Sequence, residues 1–206
     1  MNRVLAIASF VALMATGAHA ATLNLMGGQD LDNINYPVGG VAAFDVGGVK
    51  GHVTAGSDRR ASYISVDSSG IGVKTSRRDS SDLDGNGNEW LTFTFEKAVR
   101  LIAVSFSHLD YNDDWDIYVG DDLVADDNRS NPYWFSGGAG IVAKSFKVLA
   151  DGHRCGWIFC STDNFVISKV KFEHAPAPVP LPATGLLLIG GLAGLGFMRR
   201  RKQQVT

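Results

Sequence analysis

Cysteine is all but missing from this chain: two of 206 residues, Cys155 and Cys160. Two thiols cannot build a structural zinc site without histidines at ligand spacing. Four residues separate them, too many for a redox Cys-x-x-Cys motif. Proline is scarce except at one place, where Pro176, Pro178, Pro180 and Pro182 make up four of the six. Acidic residues are absent from positions 1–20 and from 175 onward, yet those ends hold five of the 19 basic residues. The stretch between them carries 14 basic and 21 acidic residues, a formal charge of −7. That sign argues against nucleic acid and anionic lipid as partners, and suits a divalent cation or a neutral polysaccharide. Residues 21–174 also lack a sustained helical period, an internal repeat, and any catalytic motif such as Gly-x-Ser-x-Gly. Catalysis is not expected; a carbohydrate-active hydrolase on the same scaffold is the alternative.

What is present at the two ends is informative. Arg3 precedes an apolar run, Val4 to Ala15, and Ala18-His19-Ala20 is a small-x-small cleavage site. Residues 1–20 therefore read as a secretory signal peptide with Ala21 as the new N-terminus. Export puts Cys155 and Cys160 in an oxidising compartment, where they are expected to pair. At the other end, residues 175–183 form a Pro-rich spacer, extended and open to a protease. Residues 184–198 follow, uncharged and with five glycines. As a helix this stretch is about 22 Å long, short of the ~30 Å hydrocarbon core. Arg199, Arg200, Arg201 and Lys202 should hold the end, residues 199–206, on the cytoplasmic side.

Val179-Pro180-Leu181-Pro182-Ala183, the Gly/Leu-rich helix and the arginine cluster together resemble the VPLPA variant of the PEP-CTERM sorting domain. The resemblance implies recognition by an exosortase in the inner membrane of a Gram-negative, exopolysaccharide-producing bacterium. It further implies a transient inner-membrane anchor and delivery to the envelope, surface or extracellular matrix. The family's more frequent Pro-Glu-Pro is absent. A rival pattern lies in the same letters, because Leu181-Pro182-Ala183-Thr184-Gly185 matches the sortase pentapeptide Leu-Pro-x-Thr-Gly. That alternative implies cleavage after Thr184 and attachment to a Gram-positive wall.

Between these ends, residues 21–174 read as a single all-β domain. Short β-branched or aromatic runs, bounded by Gly, Asp, Asn and Ser, occur at 41–46, 49–54, 61–66, 90–95, 99–107, 115–119, 141–149 and 165–172. Leu91, Phe93 and Phe95 alternate with Thr92 and Thr94, and Ile102, Val104 and Phe106 alternate with Ala103, Ser105 and Ser107. One buried and one wet face per strand predicts an antiparallel β-sandwich. Gly70 to Val73, Asp79 to Asp84, Gly87 to Phe95 and Asp163 to Ile167 resemble the jelly-roll domain common in PEP-CTERM cargo. That resemblance implies a plan similar to galactose-binding-like sandwiches, and no particular activity.

Four groups of residues could carry chemistry. Asp82, Asp84 and Asn86, followed by Gly87 and then Glu89, open like a calcium loop, although the twelfth position is Phe93 rather than a bidentate Glu. A partial calcium site closing a sandwich is one expectation there, and a polar hairpin of turn formers the other. Asp110, Asn112 and Asp114 head a run of eight aspartates, uninterrupted by Lys or Arg, that ends at Asp127. They form a weaker second ligand set. Cys155 and Cys160 would staple a short local loop. Tyr133, Trp134 and Trp157 are candidates for stacking on sugar rings, one of the first two necessarily facing outward if extended.

Overall fold

The computed structural model describes residues 20–32, 40–58, 61–85, 87–150, 152–155 and 160–175, with backbone alone at 153–155, 160 and 161. The signal peptide before Ala20, Asn86, Trp157, the sorting motif, the apolar stretch and the basic end lie outside the described residues. Among the described residues no helix is long and apolar enough to cross a membrane.

Among the described residues fifteen strands follow in order: β1 Ala20–Asn24, β2 Leu31–Asp32, β3 Val41–Val46, β4 Val49–Ser57, β5 Tyr63–Val66, β6 Ile71–Lys74, β7 Leu83–Asp84 and β8 Glu89–Ser107. They continue as β9 Trp115–Val119, β10 Asp122–Asn128, β11 Tyr133–Trp134, β12 Ile141–Ala150, β13 His153–Cys155, β14 Cys160–Thr162 and β15 Asn164–His174. Two short 3-10 turns lie among the described residues, and every described strand pair is antiparallel. The domain is an all-β sandwich.

Its organising element is β8, 19 residues long. The first half, up to Phe95, runs between β4 and β12. The second half runs between β15 on one side and β12 and β11 on the other. By their residue pattern alone these halves read as two strands, 90–95 and 99–107. The structure joins them through a bulge in which Phe95 to Ala98 lie against a single β12 residue, Lys144. Glu96 and Lys97 are exposed at that bend, where a bulge turns a strand from one layer towards the other.

A second irregularity changes which residues face inward. The β15 ladder skips from Ala103 to Leu101, leaving Ile102 without a partner there. Leu101, Val104 and Phe106 therefore enter the central core, while Ile102, expected on that face, is buried outside it. An odd residue inserted into a period-two pattern reverses the phase beyond it.

The core is aromatic. Phe93 and Phe146 stack with centroids 4.7 Å apart, and Phe95 meets Phe172 edge-on at 5.3 Å across the two halves. Trp115 is fully buried and stacks on Phe106 at 4.8 Å. Ring pairs of this kind contribute roughly 0.5–1.5 kcal/mol beyond their burial.

Candidate functional site

The loop before β8 gathers carboxylates. One oxygen each from Asp79, Asp84 and Glu89 lies within 4.8 Å of the others. Pairing of Asp84 with Asn164 fixes one ligand to β15. Glu89 opens β8 in register between Ser57 and Ala150, which draws its side chain almost wholly under cover at 2% exposure. Asp79 accepts a 2.6 Å bond from the Thr75 N–H and another from the Thr75 hydroxyl. Glu89 Oε2 accepts the Asp84 N–H at 3.1 Å.

Burial, then the neighbouring charges of Asp84 and Asp79, push the Glu89 carboxyl up to about 8, against the opposing bond from the Asp84 N–H. An all-oxygen, carboxylate-rich set under this strain is relieved by a proton or by a hard divalent cation such as calcium. Asp84 and Glu89 thus meet as the sequence pattern suggests. Asp79, unnamed in that pattern, joins them, and Asp82 departs to a different cluster with Asp67 and His108.

The second predicted set is arranged differently from a calcium loop. Asp110 is exposed, whereas Asp114 is buried and ion-paired at 2.9 Å with Arg129. Asn112 donates at 3.4 Å to Asp113, whose carboxylate also takes the Asp110 N–H at 2.7 Å. Burial raises the Asp113 carboxyl above its ordinary range. The Asp114 N–H reaches Asp163 Oδ1 at 3.2 Å, while Asp163 Oδ2 is buried with no hydrogen-bond partner among the described residues. Asp163 is pushed up to about 6, chiefly by burial, with the Asp114 and Asp113 charges adding to it. A Cβ on Gly152 would collide with that carboxylate. Farther along, Asp116, Asp126 and Asp127 bring oxygens within 4.8 Å at the β10 bulge, where the Asp127 N–H bonds Asp116 at 2.9 Å.

The predicted sugar-stacking residues separate. Tyr133 turns inward, 5.1 Å from the rings of both Trp115 and Phe135. Trp134 faces out at 46% exposure, with Lys171 Nζ 5.9 Å from its ring. A more organised aromatic surface lies on the outer face of the layer containing β4, β8, β12 and β9. There Trp90, Thr92 and Thr94 oppose the buried Leu91, Phe93 and Phe95. Register places Gly56 beside Trp90, Thr54 beside Thr92, and His52 beside Thr94. On the other side Lys147 stands beside Thr92 and Tyr118 beside Lys147. Lys147 Nζ lies 4.1 Å from the Tyr118 ring centroid and 5.8 Å from that of Trp90. Gly56 lets the Trp90 indole lie against the sheet, since a Cβ there would strike the ring. Sequence alone does not bring Tyr118 to Trp90, because their approach arises from strand register.

No family model, curated protein or solved structure matches this chain.

Proposed function

We propose that this protein is an exported, exosortase-sorted component of the cell envelope or extracellular matrix that associates with polysaccharide. The supporting observation is the outer sheet face, where Trp90, Lys147 and Tyr118 form a half-buried strip bordered by Thr54, Thr92, Thr94 and His52. Flat rings offer sugar C–H faces a stacking surface, and hydroxyls and the ammonium offer hydrogen bonds to sugar oxygens. The −7 charge of residues 21–174 leaves a neutral glycan as the favoured partner over an anionic one. In this reading the sandwich is jelly-roll-like, residues 1–20 direct export, and the helix at 184–198 anchors the chain until an exosortase acts near Val179–Ala183. Calcium at Asp79, Asp84 and Glu89 stabilises the fold, with no catalytic role.

Affinity electrophoresis of the full-length chain through gels containing a neutral glucan, a galactomannan or anionic alginate tests the association. Retardation by a neutral polysaccharide is expected, weakened about tenfold, or roughly 1.4 kcal/mol, by Trp90→Ala and by Tyr118→Ala. Mobility equal in all gels, or retardation unchanged in the folded double variant, overturns the assignment.

A further inference from the structure

We propose that Asp67, Asp82 and His108 form a binding site for a divalent transition ion of the zinc or manganese class. The three residues come from different segments: the β5–β6 turn, the stretch leading into β7, and the residue following β8. One ligand atom from each lies within 4.8 Å of the other two. His108 Nδ1 stands 3.3 Å from Asp82 Oδ1. Two ligands bound at ~2.1 Å and at the tetrahedral angle on one ion are roughly 3.4 Å apart, so this pair needs little movement to share one.

The surroundings are those of a ligating imidazole. A metal-bound histidine usually gives its remote N–H to an oxygen, which fixes tautomer and ring orientation. Ser69 Oγ is 3.0 Å from His108 Nε2 and fills that role. Asp67 Oδ1 is held in turn by the N–H groups of Ser69 and Gly70, at 2.6 and 3.0 Å. Among the described residues neither carboxylate has a Lys or Arg ion-pair partner. The His108 side chain is 45% exposed, so an ion there keeps positions open to water or a further ligand. A nitrogen donor beside two carboxylates selects zinc or manganese over calcium and magnesium.

Ser69, His108 and Asp82 also stand in the order of a hydrolytic triad. The electrostatic half of that machinery is missing. The N–H groups of Ser69 and Gly70, which would flank a serine nucleophile, already bind Asp67. Its negative charge also opposes an oxyanion. The metal assignment uses all four side chains, and the triad leaves Asp67 working against it.

This site is independent of the glycan face and of the Asp79–Asp84–Glu89 cluster. Calorimetric titration of zinc into metal-free full-length protein, in millimolar calcium and magnesium, tests it. One saturable event is expected, weakened tenfold or more by His108→Ala and by Asp82→Asn and unchanged by Asp84→Asn. Cobalt should give visible absorption bands that His108→Ala abolishes, while the exposed substitution leaves the metal-free melting curve in place. Binding that is equal in wild type and His108→Ala, or that follows Asp84 instead, overturns the proposal. Ester hydrolysis by metal-free protein that is lost in Ser69→Ala would do so as well.

Discussion

Glu89 is a buried carboxylic acid at the start of a central strand, with two aspartates beside it. Its folded-state value of about 8 lies above the ordinary 4.5. A raised acid stabilises the fold fully below the unfolded value, and loses that contribution as pH rises through the folded one. The affected window is therefore about pH 4.5 to 8, and the loss at its upper end is on the order of a few kcal/mol. Glu89→Gln removes the ionisation and should melt above wild type in EDTA at pH 8, with the gap closing towards pH 4.5. Millimolar calcium should reverse the order, because the ion favours the carboxylate that the variant lacks. Melting curves across that range, with and without calcium, decide the matter. A gap independent of pH, or an equal calcium response in both proteins, would remove Glu89 from any cation site.

At the scale of elements, legibility followed the regularity of the backbone. Leu91, Phe93 and Phe95 could be read from sequence because β8 is unbroken there and its alternation is governed by burial. Ile102 misled because a bulge is a property of two paired strands and leaves no mark in one of them. β10 was hidden by its aspartates, which read as the tail of an acidic run headed by a ligand set and not as a strand. They form an edge strand, where exposed charge discourages pairing with another sheet. Asp84 and Glu89 carried a loop signature, whereas Asp79 and His108 carried none, since chain folding alone brings them to their clusters. The β13–β14 ladder sets Cys155 directly opposite Cys160. That register suits the cross-link expected of an exported chain, and so small a loop contributes less than the ~3 kcal/mol of a 15-residue one. Non-reducing peptide mapping of exported protein should show one linked peptide, and reduction should lower the melting temperature only by several degrees. Quantitative alkylation of both thiols without reduction would rule out the bond.

For the whole molecule, the placement of the domain's ends bears on sorting. β1 pairs with β15 so that Ala20 lies opposite Glu173 and Ala21 opposite Phe172. Cleavage after Ala20 would leave a strand still paired from Ala21 to Asn24, so loss of the signal peptide costs little of the ladder. The last strand ends at His174, immediately before the proline run. In sequence, the expected cuts fall at the first residue of β1 and beyond the end of β15, so neither removes more than one residue of that strand pair. On the proposed reading, a proline-rich run is expected to be extended, which would suit a substrate that a membrane enzyme must reach. If the 184–198 stretch is helical it would be short for the bilayer, which would suit a segment handed to an enzyme better than a lasting anchor. Intact-mass analysis of protein from the producing bacterium should find a chain beginning at Ala21 and ending near Pro182–Thr184. The same material should retain the domain's melting transition, because every strand pair described lies upstream of the cut. A population that keeps residues 184–206 throughout would make the segment a permanent anchor. A product ending at Thr184 and joined to peptidoglycan would transfer the chain to the sortase class.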